Sequence, residues 1–329
     1  MNFEVDDLQV IELDMMDKRK YYPLTFASGM TIRTLLYPVT LVKTRLQIQK
    51  GHTIYKGTFD AFVKIARNEG LSGLYRGFWV SCLQLFPSMA YISTYEGTRH
   101  YLMKNTSVTN SKTRSFIAGG SASVVGQTLS VPLDIITQHL MLMGRRKTGS
   151  SDISSEKVQK KLSSLQKLEI SDEAKKRRFG AVSAVIREVY KRNGLLGFYK
   201  GYFVSLTVFA PNSALWWFFY DSYSDMLASI APAFVPRLVL QVVSGPLSGI
   251  SAAVITNPLD LIRARMQVDG TSFSNTVKIL WQEERFWIVT KGLTARLVQS
   301  VMFSFFIILG YETIKRWSLL DEYKQQVRW

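Results

Sequence analysis

One short pattern occurs three times along this chain of 329 residues. The segments PVTLVKTR, PLDIITQH and PLDLIRAR begin at Pro38, Pro132 and Pro258. A basic residue and a glycine follow each segment, at 76–77, 200–201 and 291–292, and a tyrosine lies 18 or 19 positions after each glycine. Chance does not place three patterns in the same order in three thirds of a chain. The sequence therefore predicts three tandem structural repeats.

Each repeat is predicted to contain two long helices. The three prolines lie inside apolar stretches, where a proline costs about 3 kcal/mol in a helix in water but is tolerated as a kink in a membrane-crossing helix. We therefore expect an all-α membrane protein with six kinked transmembrane helices in three pseudo-threefold repeats, each long enough to cross ~30 Å of hydrocarbon. The approximate spans are 22–49, 78–103, 113–142, 202–229, 237–267 and 293–319. Apolar residues at helical spacing within 59–66 and 182–189 predict short surface helices between the paired transmembrane helices.

These spacings divide the chain into an acidic N-terminal extension, three repeats and a tail. The boundaries are 1–20 for the extension, 21–104, 112–230 and 236–320 for the repeats, and 321–329 for the tail. The middle repeat is longer by roughly 30 residues, which predicts a flexible basic insert at about 145–178 that is solvated or touches anionic lipid headgroups. The first residues lack the patterns of a transit or secretory peptide, so any targeting signal is expected to be internal.

The composition argues against several other classes of protein. The net charge of +16 suits nucleic acid, but no familiar nucleic-acid-binding motif is visible. The single cysteine, Cys82, and three scattered histidines offer neither a disulfide framework nor metal-ligand spacing. No phosphate loop or nucleophile elbow is present, so neither enzyme activity nor a cofactor is expected. A membrane adaptor that does not transport remains an alternative.

Together the three patterns resemble the signature of the mitochondrial carrier family over essentially the whole chain. The resemblance implies a monomeric transporter of the mitochondrial inner membrane that exposes one central site alternately to each side. Tracts at 55–62, 118–123 and 211–217 are similar to the branched-chain amino acid carriers within that family. That similarity implies leucine, isoleucine and valine as substrates.

The resemblance also implies a matrix-side gate of ion pairs, formed by the residues that follow each proline. It pairs Asp134 with Arg263 and Asp260 with Lys43. The third position has Thr40 facing Thr137, so both departures from the signature fall on one pair and no charge is left unpaired. Glutamines that would support this gate are Gln47 and Gln267.

A second gate is implied at the cytoplasmic side by the residues around each repeated tyrosine. The pairs expected there join Asp221 to Lys315 and Glu312 to Arg99, whereas Glu96 has no ionic partner. Exposed pairs contribute about 0–1 kcal/mol each. Binding of a substrate could therefore open and reclose such gates.

Arg33 is the candidate for binding the substrate. It precedes Thr40 by two helical turns on the same face, and a cation inside the membrane indicates function because its exposure to lipid costs at least ~2.5 kcal/mol. Its planar fork suits a carboxylate. The family's contact points correspond to Leu83 or Gln84, to Val208 and Phe209, and to Gln299 and Ser300.

These contact points are uncharged, which favours a small monocarboxylate with an aliphatic tail over a nucleotide or tricarboxylate. A neutral amino acid fits, and Asn212 or Gln127 could accept from its ammonium group. A branched-chain keto acid or a cofactor-like anion remains the alternative substrate.

Overall fold

The computed structural model describes residues 16–50, 54–105, 111–143, 180–232, 235 and 237–322, and this part of the chain is almost wholly helical. Its long helices are α1 (Lys18–Ile48), α4 (Leu85–Asn105), α5 (Ser111–Leu142), α7 (Tyr202–Ile230), α8 (Arg237–Asp269) and α10 (Leu293–Ser318). Its short helices are α2 (Thr58–Glu69), α3 (Phe78–Cys82), α6 (Gly180–Asn193) and α9 (Phe273–Glu284). The two long helices of each repeat are thus separated by short surface helices, as the spacing predicts.

The repeated prolines lie inside α1, α5 and α8, in agreement with the prediction. By length and hydropathy, α8 over Val239–Asp269 is the one helix of the described ranges that qualifies as a membrane span, with a mean hydropathy of 1.6.

The repeated glycines turn the chain into the second long helix of each repeat. Gly77, Gly201 and Gly292 have φ values of 83°, 76° and 69°, in the left-handed region that favours glycine. At Gly77 a Cβ would come within 2.9 Å of the Tyr37 hydroxyl, and at Gly292 within 2.8 Å of Gln47 Cγ. Both the backbone conformation and the close approach of α1 therefore require glycine.

The second long helix of repeat 1 differs from the prediction of one continuous span over 78–103. It is interrupted at Leu83 and Gln84, where the amide of Gln84 donates to Ser81 O instead of to a residue four positions back. Pro87 has no N–H to donate to the Leu83 carbonyl, which weakens this turn. Pro211 holds the equivalent place in the continuous helix α7, so the proline alone does not cause the break. Repeat 1 is also one residue shorter at this point.

The buried apolar residues agree with the predicted spacing in α6 and differ from it in α2. In α2 the core side chains are Ala61 and Ile65, whereas Phe59 is 81% exposed. In α6 the core side chains are Val185 and Val189. The outward aromatic side chain of α2 is consistent with a helix that lies flat on a membrane surface.

A buried ion pair ties α2 to the end of α1. The Arg45 guanidinium forms two hydrogen bonds to the Glu69 carboxylate and donates to the carbonyl oxygens of Met141 and Met143 at 2.8 and 3.4 Å. The side chain of Arg45 is 0% exposed and that of Glu69 is 3% exposed. This contact joins α1, α2 and the end of α5 at one point.

The long helices pack unequally around the bundle. Helices α4 and α5, α7 and α8, α8 and α10, and α1 and α10 pack along their lengths, while α5 and α7 make fewer contacts. Apolar side chains fill the end of the bundle that contains the repeated prolines, around Tyr37, Leu41 and Leu74. The other end encloses a cavity.

Parts of the predicted organisation lie outside the described residues. These are the first fifteen residues of the acidic extension, the basic insert at about 145–178 and the tail beyond residue 322.

Candidate solute cavity and gate

A cavity of ≈ 630 Å³ runs down the bundle between α1, α4, α5, α8 and α10. It extends from Tyr21 near the start of α1 and Ile314 near the end of α10 to a floor of charged side chains. Its walls are largely apolar and include Leu36, Met89 and Phe303. A small solute with an aliphatic part would find both apolar walls and polar groups here.

Two ion pairs close the floor. Lys43 Nζ lies 2.7 Å from Asp260 Oδ2, and Arg263 Nη2 lies 2.5 Å from Asp134 Oδ2. These are the pairs that the family resemblance implies, and each side chain is 14–20% exposed. In this conformation the two ion pairs lie across the cavity at the proline end of the bundle.

The third position of this gate has no ion pair. Thr40 and Thr137 both line the cavity, but the buried Thr137 hydroxyl has no hydrogen-bond partner among the described residues. The Thr40 hydroxyl instead accepts from Gln299 Nε2 at 2.9 Å.

Glutamines surround the ion pairs. Gln47 Nε2 donates to Asp260 Oδ2 at 3.2 Å, which supports the pair with Lys43. Gln267 Oε1 accepts from Gln138 Nε2 at 2.5 Å, and Gln267 Nε2 donates to Ser205 Oγ at 3.3 Å. Gln267 therefore bridges α8 to α5 and α7 beside the gate instead of bonding to a gate ion pair.

Arg33 lies on the cavity wall, above the Asp134 pair. Its Nη1 is 2.7 Å from each of three acceptors, namely Ser81 O, Ser81 Oγ and Gln84 Oε1. The Ser81 carbonyl accepts this bond in addition to the one from the Gln84 amide, at the point where the helix is interrupted. Within the described part of the chain, Arg33 Nη2 and Nε make no hydrogen bond, so one edge of the guanidinium remains for a ligand.

Gln84 connects Arg33 to the gate. Its Oε1 accepts from Arg33, while its Nε2 donates to Asp134 Oδ1 at 2.6 Å. Of the two residues that the repeat spacing offers at this contact point, Gln84 lines the cavity, and Leu83 is absent from the cavity lining over the described ranges.

Other candidate contacts lie away from the cavity in this conformation. Over the described residues, the cavity lining lacks Gln127, Val208, Phe209, Asn212 and Ser300. Val208 is buried, Phe209 packs edge-on against the Tyr91 ring, and Ser300 Oγ donates to Gly249 O at 3.0 Å. The Gln127 side-chain oxygen is buried without a partner in the part of the chain that is described.

Arg296 is a cation near the gate that the repeat patterns do not single out. Its Nε lies 3.7 Å from Asp260 Oδ2, and its Nη2 donates to Thr256 Oγ1 at 2.6 Å and to Asn212 Oδ1 at 3.3 Å. The residue is only 8% exposed. An arginine in the apolar helix α10 was the signal available in the sequence, but it lies outside the repeated motifs.

The side chains of the predicted cytoplasmic-side gate lie outside the described residues. They belong to Glu96, Arg99, Asp221, Glu312 and Lys315, whose backbones are in α4, α7 and α10.

Comparison with known proteins identifies the family. The family model described as "Mitochondrial carrier protein" matches residues 21–106, 109–230 and 236–322. The chain is 39% identical over 325 residues to solute carrier family 25 member 44 of Homo sapiens and of Mus musculus, and each alignment covers 98% of both chains. It is 25% identical to mitochondrial substrate carrier family protein J of Dictyostelium discoideum over 94% of each chain. The chain therefore belongs to the mitochondrial carrier family, whose members are multi-pass transporters of the mitochondrial inner membrane.

Proposed function

We propose that the chain imports the branched-chain amino acids leucine, isoleucine and valine across the mitochondrial inner membrane. All six long helical segments would cross the membrane, and the cavity would open alternately to each side. The observation that carries this proposal is the free edge of Arg33 above a closed gate, inside an apolar cavity. A carboxylate would bind to that edge in two parallel hydrogen bonds.

The aliphatic part of the substrate would lie against the apolar walls. Leu36 and Met89 are among the side chains available for that contact. A hydrophobic site discriminates one methylene by only about 1–3 kcal/mol. Leucine, isoleucine and valine should therefore all be carried, with modest preferences among them.

The gate supplies the second part of the mechanism. Partly exposed ion pairs are weak enough to break and reform during a transport cycle, and substrate binding shifts the balance between the two open states by its difference in affinity for them. The pairs of Lys43 with Asp260 and Arg263 with Asp134 would hold the matrix side shut in the conformation described.

A carboxylate without an amino group is the second candidate substrate. Near the floor, the described cations Arg33, Lys43, Arg263 and Arg296 outnumber the carboxylates Asp134 and Asp260, and this excess favours an anion. A branched-chain keto acid or a cofactor-like anion would suit that charge. The amino acid remains our choice because tracts of the sequence resemble those of branched-chain amino acid carriers.

Transport by purified protein in liposomes tests this function. Uptake of radiolabelled leucine, isoleucine and valine is compared with uptake of their keto acids, glutamate and ADP. We expect saturable uptake of the three amino acids. Preferential uptake of the keto acids would keep the fold and replace the substrate, whereas uptake of none of these solutes would favour an adaptor that does not transport.

A further inference from the structure

The side-chain amide of Gln84 fills a position between a cation and an anion at the cavity floor. Its oxygen accepts from Arg33 Nη1 at 2.7 Å, and its nitrogen donates to Asp134 Oδ1 at 2.6 Å. All three residues line the cavity. The amide thus offers an acceptor to the cation and a donor to the anion.

An α-amino acid also has an acceptor and a donor close together, at a separation similar to that in the amide. Its carboxylate is an acceptor for a guanidinium, and its ammonium is a donor for a carboxylate. In an amide one carbon separates oxygen from nitrogen, and in an α-amino acid two carbons do. The ammonium could therefore reach Asp134 while the carboxylate contacts Arg33.

Equivalent positions of the other repeats lack this pair of partners. Gln299, the counterpart of Gln84, donates to the neutral Thr40, and Val208 in repeat 2 has no polar group. Arg33 itself corresponds to Gln127 and Ala253. One position of the pseudo-threefold bundle therefore combines the cation with the anion.

We propose that the head group of an α-amino acid displaces the Gln84 amide, with its carboxylate on Arg33 and its ammonium on Oδ1 of Asp134. This assignment rests on the proposed transport of amino acids and supplies the ammonium acceptor that the sequence leaves open between Asn212 and Gln127. Asn212 Oδ1 already accepts from Thr256 and Arg296.

The site has room for this exchange on both sides. The side chain of Asp134 is 19% exposed, and an ionised carboxylate has about four acceptor positions. The described residues leave Nη2 and Nε of Arg33 without a hydrogen bond. The ammonium on Asp134 would come close to the cation Arg263. Because a zwitterion has no net charge, the substrate carboxylate on Arg33 offsets this repulsion.

Binding at Asp134 also links the substrate to the gate. The other oxygen of Asp134 pairs with Arg263. The substrate ammonium on the same carboxylate would share its negative charge with Arg263. An amino acid would therefore weaken this ion pair, whereas a keto acid, held by Arg33 alone, would leave Gln84 and Arg263 on Asp134.

The test compares the preference for leucine over its keto acid between variants of the full-length protein. Half-saturating concentrations of leucine and 4-methyl-2-oxopentanoate are measured by thermal stabilisation of purified protein. Wild type should prefer leucine at least about tenfold, because a hydrogen bond between charged groups is added. Asp134→Asn should remove that preference, since it keeps the shape of the side chain and deletes its charge.

Asp260→Asn is the matched control. It makes the same change in the other gate pair, away from Gln84, and should retain the preference for leucine. A preference that survives Asp134→Asn, or that Asp260→Asn removes equally, would overturn the assignment.

A second variant covers the case in which Asp134→Asn does not fold. Gln84→Leu leaves both gate pairs intact and should keep or increase the preference for leucine, because the displaced amide is absent. Loss of that preference would show that Gln84 itself holds the amino acid. A wild-type protein that binds neither ligand would instead contradict the proposed function.

Discussion

The guanidinium of Arg33 has two different edges. Nη1 is bound to Ser81 and Gln84, while Nη2 and Nε have no hydrogen bond to the described residues. The bound edge fixes the orientation of the side chain, and the residue lines the cavity. A side chain held in this way is prepared for a ligand before the ligand arrives.

Replacing Arg33 should affect transport more than folding. We expect Arg33→Ala to abolish leucine uptake in liposomes while the yield of folded protein is retained. Arg33→Lys should retain part of the uptake, because an ammonium keeps the charge but loses the two parallel hydrogen bonds. Normal uptake by Arg33→Ala would rule out the carboxylate contact.

A site residue could be predicted where placing its side chain inside the membrane costs free energy. Arg33 is such a residue, because a cation inside a membrane-crossing helix costs free energy and therefore indicates a function. Its partner Ser81 O could not be predicted, because the repeated patterns do not show where the helix is interrupted. Arg296 is likewise a cation in an apolar helix but lies outside the repeated motifs, and its contact with Asp260 depends on how α10 packs against α8.

At the scale of helices, the ends of α1 and α2 depend on one buried ion pair. Arg45 and Glu69 are almost fully enclosed, and removal of one partner leaves the other charge buried without compensation. Such a loss costs about 3–5 kcal/mol. The position of the short helix α2 therefore depends on a contact whose loss would strongly destabilise the protein.

Removal of the Glu69 charge should destabilise the protein strongly. We expect Glu69→Gln to lower the thermal unfolding temperature of the purified protein by several degrees or more. Asp60→Asn is the matched control, because it removes the carboxylate that pairs with Lys64 at the surface of the same helix. That exposed pair is worth about 0–1 kcal/mol, so equal effects of the two variants would contradict the role of burial.

The helix boundaries show which features of the fold are encoded locally. The ends of α7 and α10 lie within one residue of the predicted spans, because a left-handed glycine marks each start. The break between α3 and α4 was missed, since Pro87 and Pro211 look alike in the sequence while only the first lies next to an interruption.

At the scale of the whole molecule, the gate joins the three repeats unequally. Asp260 and Lys43 join repeat 3 to repeat 1, and Asp134 and Arg263 join repeat 2 to repeat 3. The corresponding residues of repeats 1 and 2 are Thr40 and Thr137, and the described structure has no ion pair between them. The threefold arrangement was predictable from the repeats, and its missing pair from two departures at matching positions.

An added third pair should slow transport. The double variant Thr40→Glu with Thr137→Lys places opposite charges at the open position, and Gln299 could donate to the new carboxylate. We expect a higher unfolding temperature and slower leucine uptake, because the closed state gains an interaction that must break in each cycle.

A neutral double variant separates charge from size. Thr40→Gln with Thr137→Met introduces side chains of similar volume without an ion pair, and it should slow uptake less than the charged pair does. Faster uptake by the charged variant would contradict the pairing scheme.

The unequal gate gives the opening motion a direction. Both ion pairs include a residue of repeat 3, whereas repeats 1 and 2 are joined by the packing of α4 on α5 and by the bonds from Arg45 to Met141 and Met143. We therefore expect the matrix side to open by a movement of repeat 3 away from repeats 1 and 2, which breaks both ion pairs while the other two repeats stay joined. That movement would break the threefold symmetry of the bundle at the first step of each transport cycle.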